Sequence, residues 1–245
     1  GKGNISRHKW ISKKELGLLS PDLNTKDLIG GFCFSDGQMD DYKLGMWVAT
    51  QAIHDGVEII NNTIVEKIDL DGNITINGLK QEYDYIINAC GPWAYQLLDN
   101  SGLKGDYKLD LIRGSHILLK GEPRQSYFLQ AENDGRIFFV LPYKGKTLIG
   151  TTEVRQNLCD PIIPSDEEIE YLINEYNHYF QQQKRKTDIV GKFAGLRPLI
   201  LSSNDPKKNT REYKIESMGK ILNVYGGKWT TAMSLGRKVV KIILA

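Results

Sequence analysis

The chain has 245 residues, a quarter of them charged, and a formal net charge of +2. Folding at this length buries about 70% of the unfolded surface, enough for one large or two modest domains, and interspersed charges of both signs leave no broad electrostatic footprint for nucleic acid. Cys33, Cys90 and Cys159 lie far apart without metal spacing, and their odd count argues against a secreted disulfide framework, so a reducing, cytoplasmic setting is expected; no apolar run approaches the roughly 20 residues of a membrane span.

In chain order, Ser12 followed by Glu15 forms a capping signature for a short helix that ends near Pro21. Phe32-Cys33-Phe34 reads as a strand. Asp40 caps a helix running to about His54, with Leu44, Trp47, Val48 and Ala52 as its buried stripe and Gly56 closing it. Asp40 and Asp41 are read as cap and first-turn acid, not as a catalytic carboxylate pair. Four short strands are expected at Val57–Ile60, Ile64–Ile68, Ile74–Ile76 and Tyr85–Ala89. The last is apolar on both faces, which suits a central strand with a ligand at its carboxyl end.

From Leu109 the pattern becomes an antiparallel meander, Leu111–Lys120, Tyr127–Ala131, Arg136–Tyr143 and Lys146–Thr152. Ser165 and Glu168 make a second capping box, opening a helix that turns Ile169, Leu172, Ile173, Tyr176 and Phe180 toward the sheet. The chain returns through Ile189–Ala194 and Ile221–Tyr225. It closes on Gly226-Gly227-Lys228-Trp229-Thr230-Thr231, a glycine turn into a helix with Ala232, Leu235, Val239, Ile242 and Ile243 at helical spacing. Glycine lets a planar ligand approach the backbone, and the unpaired N–H groups of a first helical turn favour negative charge there. The expected fold is α/β and α+β. A partial layered β/α domain (36–105 and 220–245) is interleaved with an antiparallel-sheet substrate domain (106–219) backed by helices, and 1–35 joins the substrate region.

Six strings occur in order: Ile86-Ile87-Asn88-Ala89-Cys90-Gly91-Pro92-Trp93-Ala94, Ile112-Arg113-Gly114-Ser115-His116-Ile117, Ile149-Gly150-Thr151-Thr152-Glu153, Gly195-Leu196-Arg197-Pro198-Leu199, Thr210-Arg211-Glu212-Tyr213 and the terminal Gly-Gly-Lys-Trp-Thr-Thr. Together, from about Asp36 onward, the chain resembles the FAD-dependent glycerol-3-phosphate dehydrogenases. The resemblance implies FAD as cofactor, glycerol 3-phosphate as substrate, and a quinone or other electron acceptor, with peripheral membrane association of the intact enzyme and no nucleic-acid partner. An oxygen-using oxidase, and more distantly a flavin enzyme acting on an amine or hydroxy acid, are the alternatives. A folded but non-catalytic fragment is another.

Hydride transfer from a secondary alcohol needs a sink for the hydroxyl proton and cations for the phosphate. By resemblance, His116 is the acid–base candidate, and Arg197, Arg211 and Lys228 bind substrate; His116, Arg197 and Lys228 form the catalytic set. Gly195 and Pro198 are expected to pin a tight turn around Arg197. FAD contacts are expected from Val65, Ala89, Gly91, Pro92, Trp93, Gly226, Gly227, Trp229 and Thr230. No metal is expected, and His8, His54 and His178 are read as structural. The family's opening G-x-G-x-x-G turn and its helical C-terminal domain are not matched in the sequence, so the chain is expected to carry much of the substrate site without holding FAD tightly by itself.

Overall fold

A computed structural model describes residues 8–201 and 212–244. Its elements are β1 (Lys9–Ser12), α1 (Lys13–Leu19), β2 (Gly30–Cys33), α2 (Asp41–His54), β3 (Lys67–Ile68), β4 (Asn73–Ile76), β5 (Leu79–Glu82), β6 (Ile86–Asn88), α3 (Ala94–Asn100), β7 (Leu109–Lys120), β8 (Tyr127–Gln130), β9 (Ile137–Tyr143), β10 (Lys146–Gly150), β11 (Val154–Arg155), α4 (Asp166–Tyr179), β12 (Ile189–Ile200), β13 (Tyr213–Met218), β14 (Ile221–Gly226) and α5 (Ala232–Ile243). They divide into two compact units. One takes the described part of Gly1–Gln38 with Arg113–Val154 and Pro161–Gly195; the other takes Met39–Ile112, Arg155–Asp160 and the described part of Leu196–Ala245.

The first unit is built on the antiparallel meander that the alternating pattern anticipates. Its strand order is β11-β7-β10-β9-β8, with β12 also paired to β7. One face of this sheet is sealed by α4, whose Ile169, Leu172, Ile173 and Tyr176 recur at the spacing of a single helical face and pack with Ile117, Leu119, Phe138, Val140 and Ile149. Burying each such side chain is worth about 1.5–3 kcal/mol, so this layer supplies the main stabilisation of the unit. The capping box is formed: Ser165 Oγ accepts from the Glu168 N–H, and Glu168 accepts from the Ser165 N–H. Past the end of α4 the chain is tied to the N-terminal segment, Asn24 N–H donating to the Tyr179 carbonyl (2.7 Å) and Gln181 N–H to that of Asp22 (2.9 Å). The Ser12–Glu15 box likewise opens α1, which packs against β2 of the antiparallel β1–β2 pair.

The second unit holds two small sheets. β3-β4-β5 is an antiparallel meander, and β13-β14-β6 joins an antiparallel to a parallel pair. Ile86, Ala94, Leu97, Leu98, Ile221 and Tyr225 form its core, and Leu222, Val224 and Val239 bind α5 to the sheet's other face.

Five local expectations are corrected in this unit. Val57–Ile60 is not a strand, and of Ile64–Ile68 only Lys67 and Ile68 pair, because a ladder requires a neighbour and apolar composition alone cannot supply one. β14, not β6, is the central strand: β14 has neighbours on both edges and is buried from Ile221 to Tyr225, while β6 pairs only with β14 among the described residues and leaves Ile87 47% exposed. α2 is capped by Asp40 as expected, yet none of its residues is buried; Trp47 and Val48 are exposed and Leu44 and Ala52 only half-buried. Apolar residues, including Tyr42, Met46 and Ile53, surround this helix, so periodicity did not single out a buried face. Finally, Arg197 lies within β12 and no tight turn encloses it; proline restricts its predecessor to extended backbone, which favours the strand.

Candidate functional site

In the second unit β6 and β14 run parallel with Asn88 opposite Asn223, so both carboxyl ends open on the same edge of the sheet. Each then repeats one local plan. Beyond Asn88, Gly91 at φ +56° begins a 3-10 turn, Gly91–Trp93, that leads into α3. Beyond Asn223, Gly226 (φ +69°) and Gly227 (φ +96°) reverse the chain, extended Lys228 caps a second 3-10 turn, Trp229–Thr231, and α5 follows. Glycine is obligatory at 226 for two reasons: the left-handed backbone, and a Cβ there would stand 2.6 Å from the Glu212 carbonyl oxygen. At Gly91 no atom lies within 4 Å of where a Cβ would be, so the backbone borders open space.

A buried polar network fixes the two strand ends together. Asn88 Nδ2 donates to Asn223 Oδ1 (2.9 Å) and to the Ala94 carbonyl (3.1 Å), tying β6 to β14 and to the first residue of α3. Asn223 Nδ2 in turn donates to Glu216 Oε2 (3.2 Å), which also accepts from Tyr225 Oη (2.8 Å), while Glu216 Oε1 accepts from the Asp106 N–H (2.6 Å). Burial, reinforced by its hydrogen bond to Glu216 and that group's charge, pushes the Tyr225 hydroxyl far above its ordinary pKa, so it remains a donor. Such a network is costly unless satisfied, and here it sets the register that aligns both turns. Asn88, Asn223 and Glu216 escaped the sequence reading. The available signal was an asparagine three residues before a glycine at the end of each strand, Asn88/Gly91 and Asn223/Gly226.

The surface beyond these strands suits an anionic, planar cofactor. Trp93 and Trp229 are 48% and 41% exposed, the glycines keep side chains away from the backbone, and the first turn ahead of α5 presents backbone N–H groups where negative charge is favoured. Ala89, Gly91, Pro92 and Trp93 thus share an edge with Gly226, Gly227, Lys228, Trp229 and Thr230. Gly45 of α2 faces the Trp229 ring, where a Cβ would make ordinary contact at 3.6 Å. Val65 lies in the same unit, half-buried against the core that contains Ile86. Arg197 is half-buried on β12. Arg211 falls outside the described residues. Among the described residues no group of three or more His, Cys, Asp or Glu side chains is placed to hold a metal ion.

In the first unit β7 presents alternate side chains to opposite faces. Arg113 and Ser115 meet Glu168 of α4: Arg113 Nη2 lies 2.8 Å from Oε2, and Ser115 Oγ (2.8 Å) and Thr152 Oγ1 (2.5 Å) both donate to Oε1. Burial raises the Glu168 pKa, but the hydrogen bonds from Ser165, Thr152, Ser115 and Arg113 outweigh it and hold the carboxyl below its usual value. His116 follows Ser115 and so turns to the other face. Its ring stacks on Phe193 of β12, with centroids 4.9 Å apart and planes within 9°, and its strand partner on β10 is Gly150.

A family model described as FAD dependent oxidoreductase matches residues 2–242. The aerobic glycerol-3-phosphate dehydrogenase of Staphylococcus aureus (strain USA300) is 30% identical over 255 residues, an alignment that covers 97% of this chain and 46% of that protein. The chain thus spans about half the length of the curated relatives it matches. Among solved structures, glycerol-3-phosphate dehydrogenase from Bacillus halodurans, complexed with FAD, superposes with a TM-score of 0.83 at 23% identity, over 98% of this chain and 51% of that one. Dithionite-reduced L-alpha-glycerophosphate oxidase from Mycoplasma pneumoniae, with FAD bound, gives 0.79 at 20% identity, over 100% and 66%. Both share the fold of this chain.

Proposed function

This chain belongs to the FAD-dependent oxidoreductase family, and we propose that it forms the substrate-bearing portion of an enzyme that oxidises glycerol 3-phosphate at C2 to dihydroxyacetone phosphate and passes the electrons to a quinone. The observation that carries this reading is the pair of aligned glycine turns at the ends of β6 and β14, with a lysine immediately beyond the second. Ala89, Gly91, Pro92 and Trp93 on one turn, and Gly226, Gly227, Trp229 and Thr230 on the other, would hold FAD, with Val65 as a further contact. Bound FAD supplies the acceptor for the hydride that leaves C2. Lys228 offers a mobile point charge to the substrate, while Arg197 and Arg211 offer planar forks suited to a phosphate. His116 takes up the hydroxyl proton at an imidazole nitrogen as the carbonyl forms.

The test is a titration of the purified chain with FAD, followed by flavin fluorescence and then by turnover with glycerol 3-phosphate and an artificial acceptor. Weak FAD binding by the chain alone is the expected result, and in an intact enzyme that contains this portion Lys228→Met should abolish turnover and His116→Asn should lower it about a hundredfold or more. Turnover of glycine or of a hydroxy acid in place of glycerol 3-phosphate would refute the substrate. A second reading, oxygen as acceptor, is favoured by the similarity to the Mycoplasma pneumoniae oxidase. Peroxide formation at the rate of substrate oxidation would establish it over the quinone, and loss of peroxide in favour of quinone reduction would exclude it. Quinone reduction also implies that the complete enzyme meets a membrane surface from the cytoplasmic side. Among the described residues no helix is long and apolar enough to cross one.

A further inference from the structure

His116 is held in a slot one ring thick. On one side Phe193 lies parallel to the imidazole, 4.9 Å between centroids. On another, Gly150 is its direct cross-strand partner in the β7–β10 ladder, and the ring occupies the space that any larger residue there would need: a Cβ on Gly150 would stand 2.7 Å from His116 Cγ and 2.8 Å from Nε2, closer than real Cβ contacts come. The slot is anchored from the opposite face of the sheet. Ser115, the residue before His116, is bonded through both its N–H, to Thr152 Oγ1 (2.9 Å), and its hydroxyl, to buried Glu168 (2.8 Å), which fixes β7 at that point against α4. Phe193 itself is 46% exposed and stacks its ring on the imidazole.

We infer that Gly150 and Phe193 are positioning residues for His116: the absent side chain at 150 admits the imidazole, and the Phe193 ring sets its plane. The inference rests on the reading that His116 handles the substrate's hydroxyl proton, and its orientation decides whether that proton is within reach. Phe193 and Gly150 bound the ring on these two sides, and a displacement of about 1 Å at such a site is enough to cost about a hundredfold in rate.

The experiment uses the full chain labelled in its histidines, of which there are four, with the His116 ring signals assigned by His116→Asn. Phe193→Leu removes the ring current and should move the His116 ring protons downfield; Phe193→Tyr should leave them near their original positions. Gly150→Ala should shift them through displacement of the ring. In an intact FAD-loaded enzyme that contains this portion the same two disruptive variants should lower kcat, about tenfold for Phe193→Leu and about a hundredfold for Gly150→Ala, with KM changed little and Phe193→Tyr restoring turnover. Unmoved ring signals in Phe193→Leu would overturn the slot, even if Gly150→Ala failed to fold. Ring signals that move while kcat is retained would overturn the positioning role. Full turnover by His116→Asn would instead refute the acid–base reading of His116, and the ring signals distinguish that failure from a failure of the slot.

Discussion

Replacing Glu168 by glutamine removes one negative charge from a site where only 4% of that side chain, and 13% of its partner Arg113, is exposed. The geometry limits what the amide can do. Oε2 receives Arg113 Nη2 (2.8 Å) and the Ser165 N–H (2.9 Å), neither of which can accept, so the amide oxygen must take that position. The NH2 group then faces Ser115 and Thr152, whose hydroxyls can reverse and accept. Every hydrogen bond is retained in number, but the guanidinium loses its counter-charge. Removing one partner of a buried pair costs about 3–5 kcal/mol, and retention of the hydrogen bonds places glutamine at the lower end, about 3 kcal/mol, with alanine at about 5 kcal/mol. The loss should depend on pH. The Glu168 carboxyl is held below its ordinary pKa in the folded chain, so its stabilisation is present above the unfolded value, about 4.3, and is lost as pH falls through the lower folded value. Urea unfolding at neutral pH and along a series below pH 4.5 measures both effects. The difference between parent and Glu168→Gln should shrink on the acid side. A glutamine variant within about 0.5 kcal/mol of the parent at pH 7, or a difference that persists unchanged into acid, would refute the reasoning.

Gly226→Ala places a Cβ against the Glu212 carbonyl on a left-handed backbone, and the strain of about 1–3 kcal/mol should appear in thermal unfolding together with weaker flavin binding; an unchanged melting temperature would count against the turn geometry. Leu172→Ala empties a fully buried position between α4 and the sheet and should cost about 2–5 kcal/mol in urea unfolding, whereas Leu18→Ala at a 75% exposed position should cost little. Burial, with the charge of Asp22 and the neighbouring Tyr127, pushes the Tyr176 hydroxyl up to about 12. Its contribution is complete below about pH 10 and is lost as pH rises toward 12, so Tyr176→Phe should flatten the alkaline limb of the stability curve by on the order of 2 kcal/mol. An alkaline limb of the same steepness in that variant would assign it to other groups.

The sheet unit was legible where local chemistry and tertiary environment agree. Ser165 with Glu168 marks a helix start that needs only its own backbone, and the stripe from Ile169 to Tyr176 has one apolar face and one charged face, so it could be buried in one way. From Ser115 to Leu119 β7 alternates buried and half-buried residues because one face meets α4. The same periodicity misled at α2, where apolar residues surround the helix, and at Val57–Ile60, where β-forming residues find no ladder partner among the described residues. Glu168 was legible as a cap, and its second role, receiving Arg113, Ser115 and Thr152 from strands distant in sequence, was not.

Features carried by a few consecutive residues were legible along the chain: the caps, the glycine turns after Asn88 and Asn223, and the ordered strings that mark a family. That those two turns share one edge emerges only on folding, because their alignment depends on parallel pairing of strands 135 residues apart and on the Asn88–Asn223 hydrogen bond across it. Folding alone also brings Gly150 and Phe193 to His116, since cross-strand neighbours are set by ladder register and side-chain direction, and neither is encoded by proximity along the chain.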